Sequence, residues 1–335
     1  MAIEFADSQV AGTAMTAQIN IIVTCTKRKS VAVPDRLRFR TVRKGPGKAR
    51  FGQWRDRLKS TNVETVAVRD LYSGDHWKVA RSMVQVNGNH NSSRRLWVAS
   101  AGYGLVSLDD RIKPYSATFS ASHPDSVTGK IGGVERSSLL REWWRLMSKW
   151  RSHLHSGTRS IAEVAAANPR SPLIIIASEN YLAAIASDIR DAIEQLATPE
   201  LCSIVSAGCK SLDGLTEHLV PCDARLQHAV GGALRSLNVR VARLIITECR
   251  RSQPTLPVIR RKLRLLLQQQ PELVRVERKT QSDAAVRRFI LRELRKSTNT
   301  RRTSLLRKLR DDGKACEYSR FAALFSDVRE QFDGP

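Results

Sequence analysis

Leu96-Trp97-Val98-Ala99-Ser100-Ala101-Gly102-Tyr103-Gly104-Leu105, continued by Val106-Ser107-Leu108-Asp109-Asp110-Arg111-Ile112-Lys113-Pro114-Tyr115, is the stretch on which the fold turns. Its first half is a short apolar run ended by small residues, the pattern of a strand buried on both faces. Its second half gathers carboxylates, aromatics and a lysine just past the strand end, where open α/β sheets bind ligands. The two glycines beside Tyr103 let the backbone turn tightly and a substrate approach closely. The same residues also read as an ordinary strand-turn connection with solvated aspartates.

Working outward, Ile19-Asn20-Ile21-Ile22-Val23-Thr24 is a β-branched run that reads as a central strand and opens into Cys25-Thr26-Lys27-Arg28-Lys29-Ser30. Pro172 to Ser178 and Leu201 to Gly208 are two more apolar runs ending in polar or small residues, and helical patterns lie between the runs. This alternation predicts an α/β fold of three layers, α/β/α, around a central, mostly parallel four-stranded sheet. The strand ends then share one edge, where Lys27, Tyr103, Asp110, Ser178, Glu179 and Gly208 converge. Trp143, Trp144, Leu146, Met147 and Trp150 recur at helical spacing within 139–155, as a buried stripe does.

The chain has 335 residues and a formal charge of +24, from 56 Lys and Arg against 32 Asp and Glu. Such an imbalance points to a polyanion, because every neutralised phosphate releases condensed counterions. Residues 225–335 alone hold 26 Lys and Arg against 11 Asp and Glu, in apolar helical periods with arginines between them. The expected organisation is a loose arm at 1–18, an α/β domain at 19–224 and a basic helical domain at 225–335. A helix-turn-helix arrangement there would let Arg301, Arg302, Lys308 and Arg310 grip DNA phosphates. Residues 31–60 interleave Phe39, Phe51 and Trp54 with cations, which suits either a nucleic-acid track or a basic insertion.

An anionic membrane surface is the competing polyanion. No apolar run of transmembrane length or signal-peptide pattern supports it, and a cytoplasmic, monomeric protein is expected. The six cysteines lack paired spacing, as in a reducing compartment. Cys209, His218, Cys222 and His228 lie close in sequence without a C-x-x-C element, so neither a metal nor another cofactor is expected.

Four segments in order carry a family resemblance: Thr24 to Lys29, Leu71-Tyr72-Ser73-Gly74-Asp75-His76-Trp77, Trp97 to Leu105, and Ile112-Lys113-Pro114-Tyr115-Ser116-Ala117-Thr118-Phe119. Together they resemble bacterial anti-phage DNA glycosylases with a uracil-DNA-glycosylase-like α/β/α domain. They are also similar to peroxide-stress and deazaguanine-modification domains. The resemblance implies excision of a hypermodified base, such as glucosylated hydroxymethylcytosine, from double-stranded phage DNA, leaving an abasic site. The Gly-Gln-Asp-Pro and His-Pro-Ser motifs of the uracil glycosylases proper are missing, so their catalytic residues do not transfer.

A glycosylase flips its nucleotide, holds the base and stabilises a cationic sugar. Asp110 or Asp109, with Glu179 as a third choice, is the expected carboxylate. Ser100, Gly102, Tyr103 and Tyr115 would line the base pocket, while Lys27, Arg28, Lys29 and His76 would hold flanking phosphates. Lys27 could alternatively attack the sugar, given a lowered pKa. Two other readings remain open, a non-catalytic DNA-binding stress or nucleoid protein and a component of deazaguanine insertion into DNA.

Overall fold

The computed structural model describes residues 18–84, 94–121, 123–129, 131, 133–150, 157–249, 253–272 and 278–333. The expected arm lies outside them apart from Gln18, as does the end of the helix expected over 139–155. The described chain divides into two compact units, Met1–Pro271 and Glu272–Pro335.

The first unit is built on five strands: β1 (Ile19–Thr24), β2 (Arg94–Ser100), β3 (Gly104–Ser107), β4 (Leu173–Ile176) and β5 (Cys202–Val205). Their order is β3-β2-β1-β4-β5, with β1, β2, β4 and β5 parallel and β3 antiparallel at the edge. The sheet thus has one strand more than the four expected. Gly104, at φ +76°, reverses the chain so that Gly104–Ser107 pairs back onto Trp97–Ser100. The whole of β4, Leu173-Ile174-Ile175-Ile176, is buried, which requires cover on both faces of the sheet.

That cover comes from α1 (Gly47–Ser60), α2 (Asp75–Ser82), α3 (Gly133–Lys149), α4 (Ile161–Ala167), α5 (Glu179–Gln195), α6 (Leu237–Glu248) and α7 (Leu256–Gln268). Helix α3 packs with α1 and α5, whereas α6 packs with α2 and against β4 and β5. The aromatics of 31–60 belong to the core: Phe39, Phe51 and Trp54 are buried, with Phe39 edge-on to both Trp54 and Trp143. They are not free to stack on bases.

The expected boundary after 224 moves to Pro271. Leu237, Val241, Ile245, Ile259 and Leu263 of α6 and α7 belong to the same core as the sheet, and Arg243, Arg261 and Arg264 of these helices are exposed. The second unit contains α8 (Asp283–Lys296), α9 (Arg302–Asp311) and α10 (Tyr318–Asp333). It closes on its own core, which includes Val286, Ile290, Leu294, Leu305, Leu309 and Phe321. Ser282 caps α8 by accepting the Ala285 amide at 3.3 Å. No helix among the described residues is long and apolar enough to cross a membrane.

Candidate functional site at the sheet switch point

From β1 the chain crosses to β2 on one side, and from β4 it crosses to β5 on the other. Connections that leave in opposite directions open a crevice beyond the strand ends, the usual ligand seat of such sheets. The β1 exit, Cys25 to Lys29, and the β4 exit, Ala177 to Tyr181, form its two lips. Cys25 Sγ lies 3.1 Å from the Tyr181 hydroxyl and joins them.

Behind this contact the quoted segments meet. Lys29 bridges to Tyr72 in antiparallel fashion, and the Ser73 amide donates to the Arg28 carbonyl at 3.1 Å. Tyr72 and Tyr115 hydroxyls lie 2.8 Å apart, and the Tyr115 hydroxyl lies 2.5 Å from Ser100 Oγ. Ser100 Oγ already accepts the amides of Gly102 and Tyr103, at 3.2 and 3.0 Å. With both lone pairs used, its proton points to Tyr115, and the Tyr115 proton to Tyr72. The result is a directional chain, Ser100 to Tyr115 to Tyr72.

Lys29 caps this chain. Its Nζ is 4.8 Å from the centroids of both the Tyr72 and Tyr115 rings and donates to the Thr26 carbonyl at 2.6 Å. Burial lowers the Lys29 ammonium to about 8, the nearby Cys25 sulfur opposing part of the shift. No carboxylate pairs with Lys29 among the described residues; the ring faces supply its electrostatic partner. Burial holds Tyr72, Tyr115 and Tyr181 well above the ordinary phenol range, so the cluster contains no tyrosinate at neutral pH.

The expected site residues separate accordingly. Ser100, Gly102 and Tyr115 stand in the cluster, but Tyr115 is fully buried as its scaffold. Tyr103 is buried too, its hydroxyl accepting the Lys113 amide at 3.1 Å and its ring stacked on Trp150, so it packs the core instead of lining a pocket. Gly102 is required by sterics: a Cβ there would lie 2.4 Å from two carbons of the Tyr115 ring. Gly102→Ala is therefore expected to displace Tyr115 and cost about 2 kcal/mol or more, read as a lowered thermal midpoint with a changed near-UV signal.

The aspartates lie elsewhere. Strand β3 runs back along β2, so the turn after it sits away from the strand ends. There Asp110 accepts the Ser107 amide at 2.8 Å, while exposed Asp109 pairs with Arg69. Glu179 begins α5 at the crevice, exposed, and is the one of the three carboxylates at this edge. Lys27 and Arg28, on the β1 exit, are exposed. His76 has a buried Nε2 without a partner, and burial lowers its pKa to about 4, which removes it as a cationic phosphate ligand at neutral pH.

The segment His123-Pro124-Asp125 anchors Arg40 and Ser116. Asp125, fully buried, receives Arg40 Nε at 2.8 Å, Arg40 Nη2 at 2.7 Å, the Arg40 amide at 3.0 Å and Ser116 Oγ at 2.7 Å. Burial alone would raise its pKa, but the Arg40 and Ser116 hydrogen bonds outweigh it and hold the carboxyl at about 2. A separate cavity of about 650 Å³ lies between α3, α4 and α5, remote from the strand ends. Its buried Asp188 is engaged by Trp144 Nε1 and the amides of Ile161 and Ala162.

In the second unit, the four expected phosphate grips divide. Arg301 is exposed. Arg302 donates to the Tyr318 hydroxyl at 2.9 Å, Lys308 pairs with Glu293 at 2.6 Å, and Arg310 donates to the Cys316 carbonyl at 3.1 Å. Among the described residues no group of three His, Cys, Asp or Glu could hold a metal ion. Comparison of the chain with family models, curated proteins and solved structures returns no match.

Proposed function

We propose that the first unit is a DNA glycosylase of the uracil-DNA-glycosylase-like type. It excises a hypermodified base, of the glucosylated hydroxymethylcytosine class, from phage DNA and leaves an abasic site as antiviral defence. The observation that carries the reading is the Lys29 amine, held between two tyrosine rings at the switch-point crevice with a pKa of about 8. Such an amine is partly unprotonated near neutral pH and can act as a nucleophile. Its lone pair attacks C1′ of the flipped nucleotide as the base departs with the glycosidic electron pair. Ring opening then gives an iminium, and water releases Lys29 and the abasic sugar.

Lys29, enclosed by the Tyr72 and Tyr115 rings, takes the place of the exposed Lys27. Glu179 takes the place of Asp110 and Asp109 as the carboxylate beside the developing sugar cation. A net charge of +24 favours a polyanionic substrate. The test incubates the protein with phage DNA carrying modified bases and with unmodified DNA, then looks for alkali-labile sites and the released base by mass spectrometry. Alkali-labile sites confined to modified DNA are expected. Binding without product on any DNA would favour the second reading, a non-catalytic DNA-binding protein, for which the basic helices of 225–335 suffice.

A further inference from the structure

We infer that the groove between α8 and the α9 end of the second unit is the surface on which that unit holds the phosphate backbone of double-stranded DNA. The inference takes its partner from the DNA reading above but does not depend on base excision. The groove encloses about 410 Å³, and its lining includes Arg288, Arg292 and Lys314 over a floor of Ala285, Phe289 and Leu309, without a carboxylate.

The lining cations are Arg288, Arg292 and Lys314, and the corner of the unit behind Arg292 is positive as well. Glu293 is the buried carboxylate of this corner, and it is shared by Lys308 at 2.6 Å, Lys296 at 3.4 Å and Arg292 at 3.4 Å. One carboxylate against three cations leaves two positive charges uncompensated. Arg288 is exposed and has no ion-pair partner among the described residues, and Lys314 reaches Asp312 only at 3.9 Å. Arg288 and Arg292 stand four residues apart on one helix face, so they lie in a row about 6 Å apart along the axis. A row of cations fits a polyanion whose charges repeat along a line, as a nucleic-acid strand does.

The floor argues against a lipid surface. Phe289 and Leu309 are buried, and Arg292 lies over the Phe289 ring at 5.6 Å, so no apolar side chain of the groove projects for insertion. Arg288 differs from Arg302, Lys308 and Arg310, whose polar groups are engaged inside the unit, in having no hydrogen-bond or ion-pair partner among the described residues. Periodicity alone could not separate the two sets, because both alternate with apolar residues.

The test measures binding of the full-length chain to an unmodified duplex by fluorescence anisotropy across a salt series. Arg288→Ala/Arg292→Ala/Lys314→Ala is expected to weaken binding about tenfold or more and to flatten the slope of log K against log salt by about 3. An Arg307→Ala control, at an exposed arginine outside the groove lining, should move binding far less. If the triple variant melts early, Arg288→Gln carries the test alone, with a slope change of about 1. Wild-type affinity and slope in either variant overturn the proposal. So does a loss confined to anionic vesicles or to poly-glutamate, which would assign the groove to a membrane or an acidic protein. Unmodified duplex offers no base to excise, so failure here leaves the glycosylase reading intact, and absence of abasic sites leaves the groove intact.

Discussion

Lys29→Gln is expected to abolish base excision, lowering its rate by about a thousandfold or more, while Lys27→Gln stays within a few-fold of the parent. Borohydride added during turnover should trap wild-type protein on modified DNA through a reduced Lys29 adduct, and should trap nothing with the glutamine variant. The pH dependence follows from the amine. Below about 8 Lys29 is mostly protonated and inert, so excision should rise with pH through that value and level off above it. Stability carries the same signature with its own sign. Between about 8 and the ordinary lysine range the unfolded chain binds a proton that the folded chain does not, so the folded state gains stability as pH rises there. Lys29→Gln should remove that slope. A variant that is still trapped by borohydride would move the nucleophile to another residue.

The second large effect is expected at Asp125. Asp125→Ala leaves Arg40 facing an empty, buried seat and frees Ser116, and should cost about 3 kcal/mol, near the lower end for a broken buried pair because Arg40 is partly exposed. The melting temperature of the first unit should fall by roughly 6–12 °C. The wild-type contribution is present above the ordinary carboxylate range and disappears as pH falls toward about 2, a loss of roughly 2 kcal/mol. Acid melts of wild type and Asp125→Asn should therefore converge at low pH. Parallel acid-unfolding curves at all pH values would show that the pair adds nothing.

The strands were legible because they are apolar and short, and each is ended by small or polar residues. Ile19–Thr24 emerged with its boundaries intact. Gly104–Ser107 escaped because its residues continue the apolar pattern of β2, and only the positive φ at Gly104 reveals the reversal. That missed reversal also misplaced the site. Read as one continuous strand exit, Asp109 and Asp110 fall at the crevice; folded back, they fall away from it. Cys25, Tyr72 and Tyr181 carried no signal of their own, since a buried tyrosine and a packing tyrosine look alike in one dimension. Lys29 was visible as a cation beside Lys27 and Arg28, but what distinguishes it is the pair of rings around its ammonium, contributed from positions 72 and 115.

The strand order also governs how the chain is made. β1 is synthesised first and ends at the centre of the sheet, paired on one side with Arg94–Ala99 and on the other with Leu173–Ile176. Asn20 cannot complete its hydrogen bonding until Leu173 arrives, so a nascent chain carries a bare apolar strand edge through most of the synthesis of the first unit. Basic residues at 27–29 and 36–50 flank that strand during the wait, and their mutual repulsion opposes the pairing of two such unfinished chains.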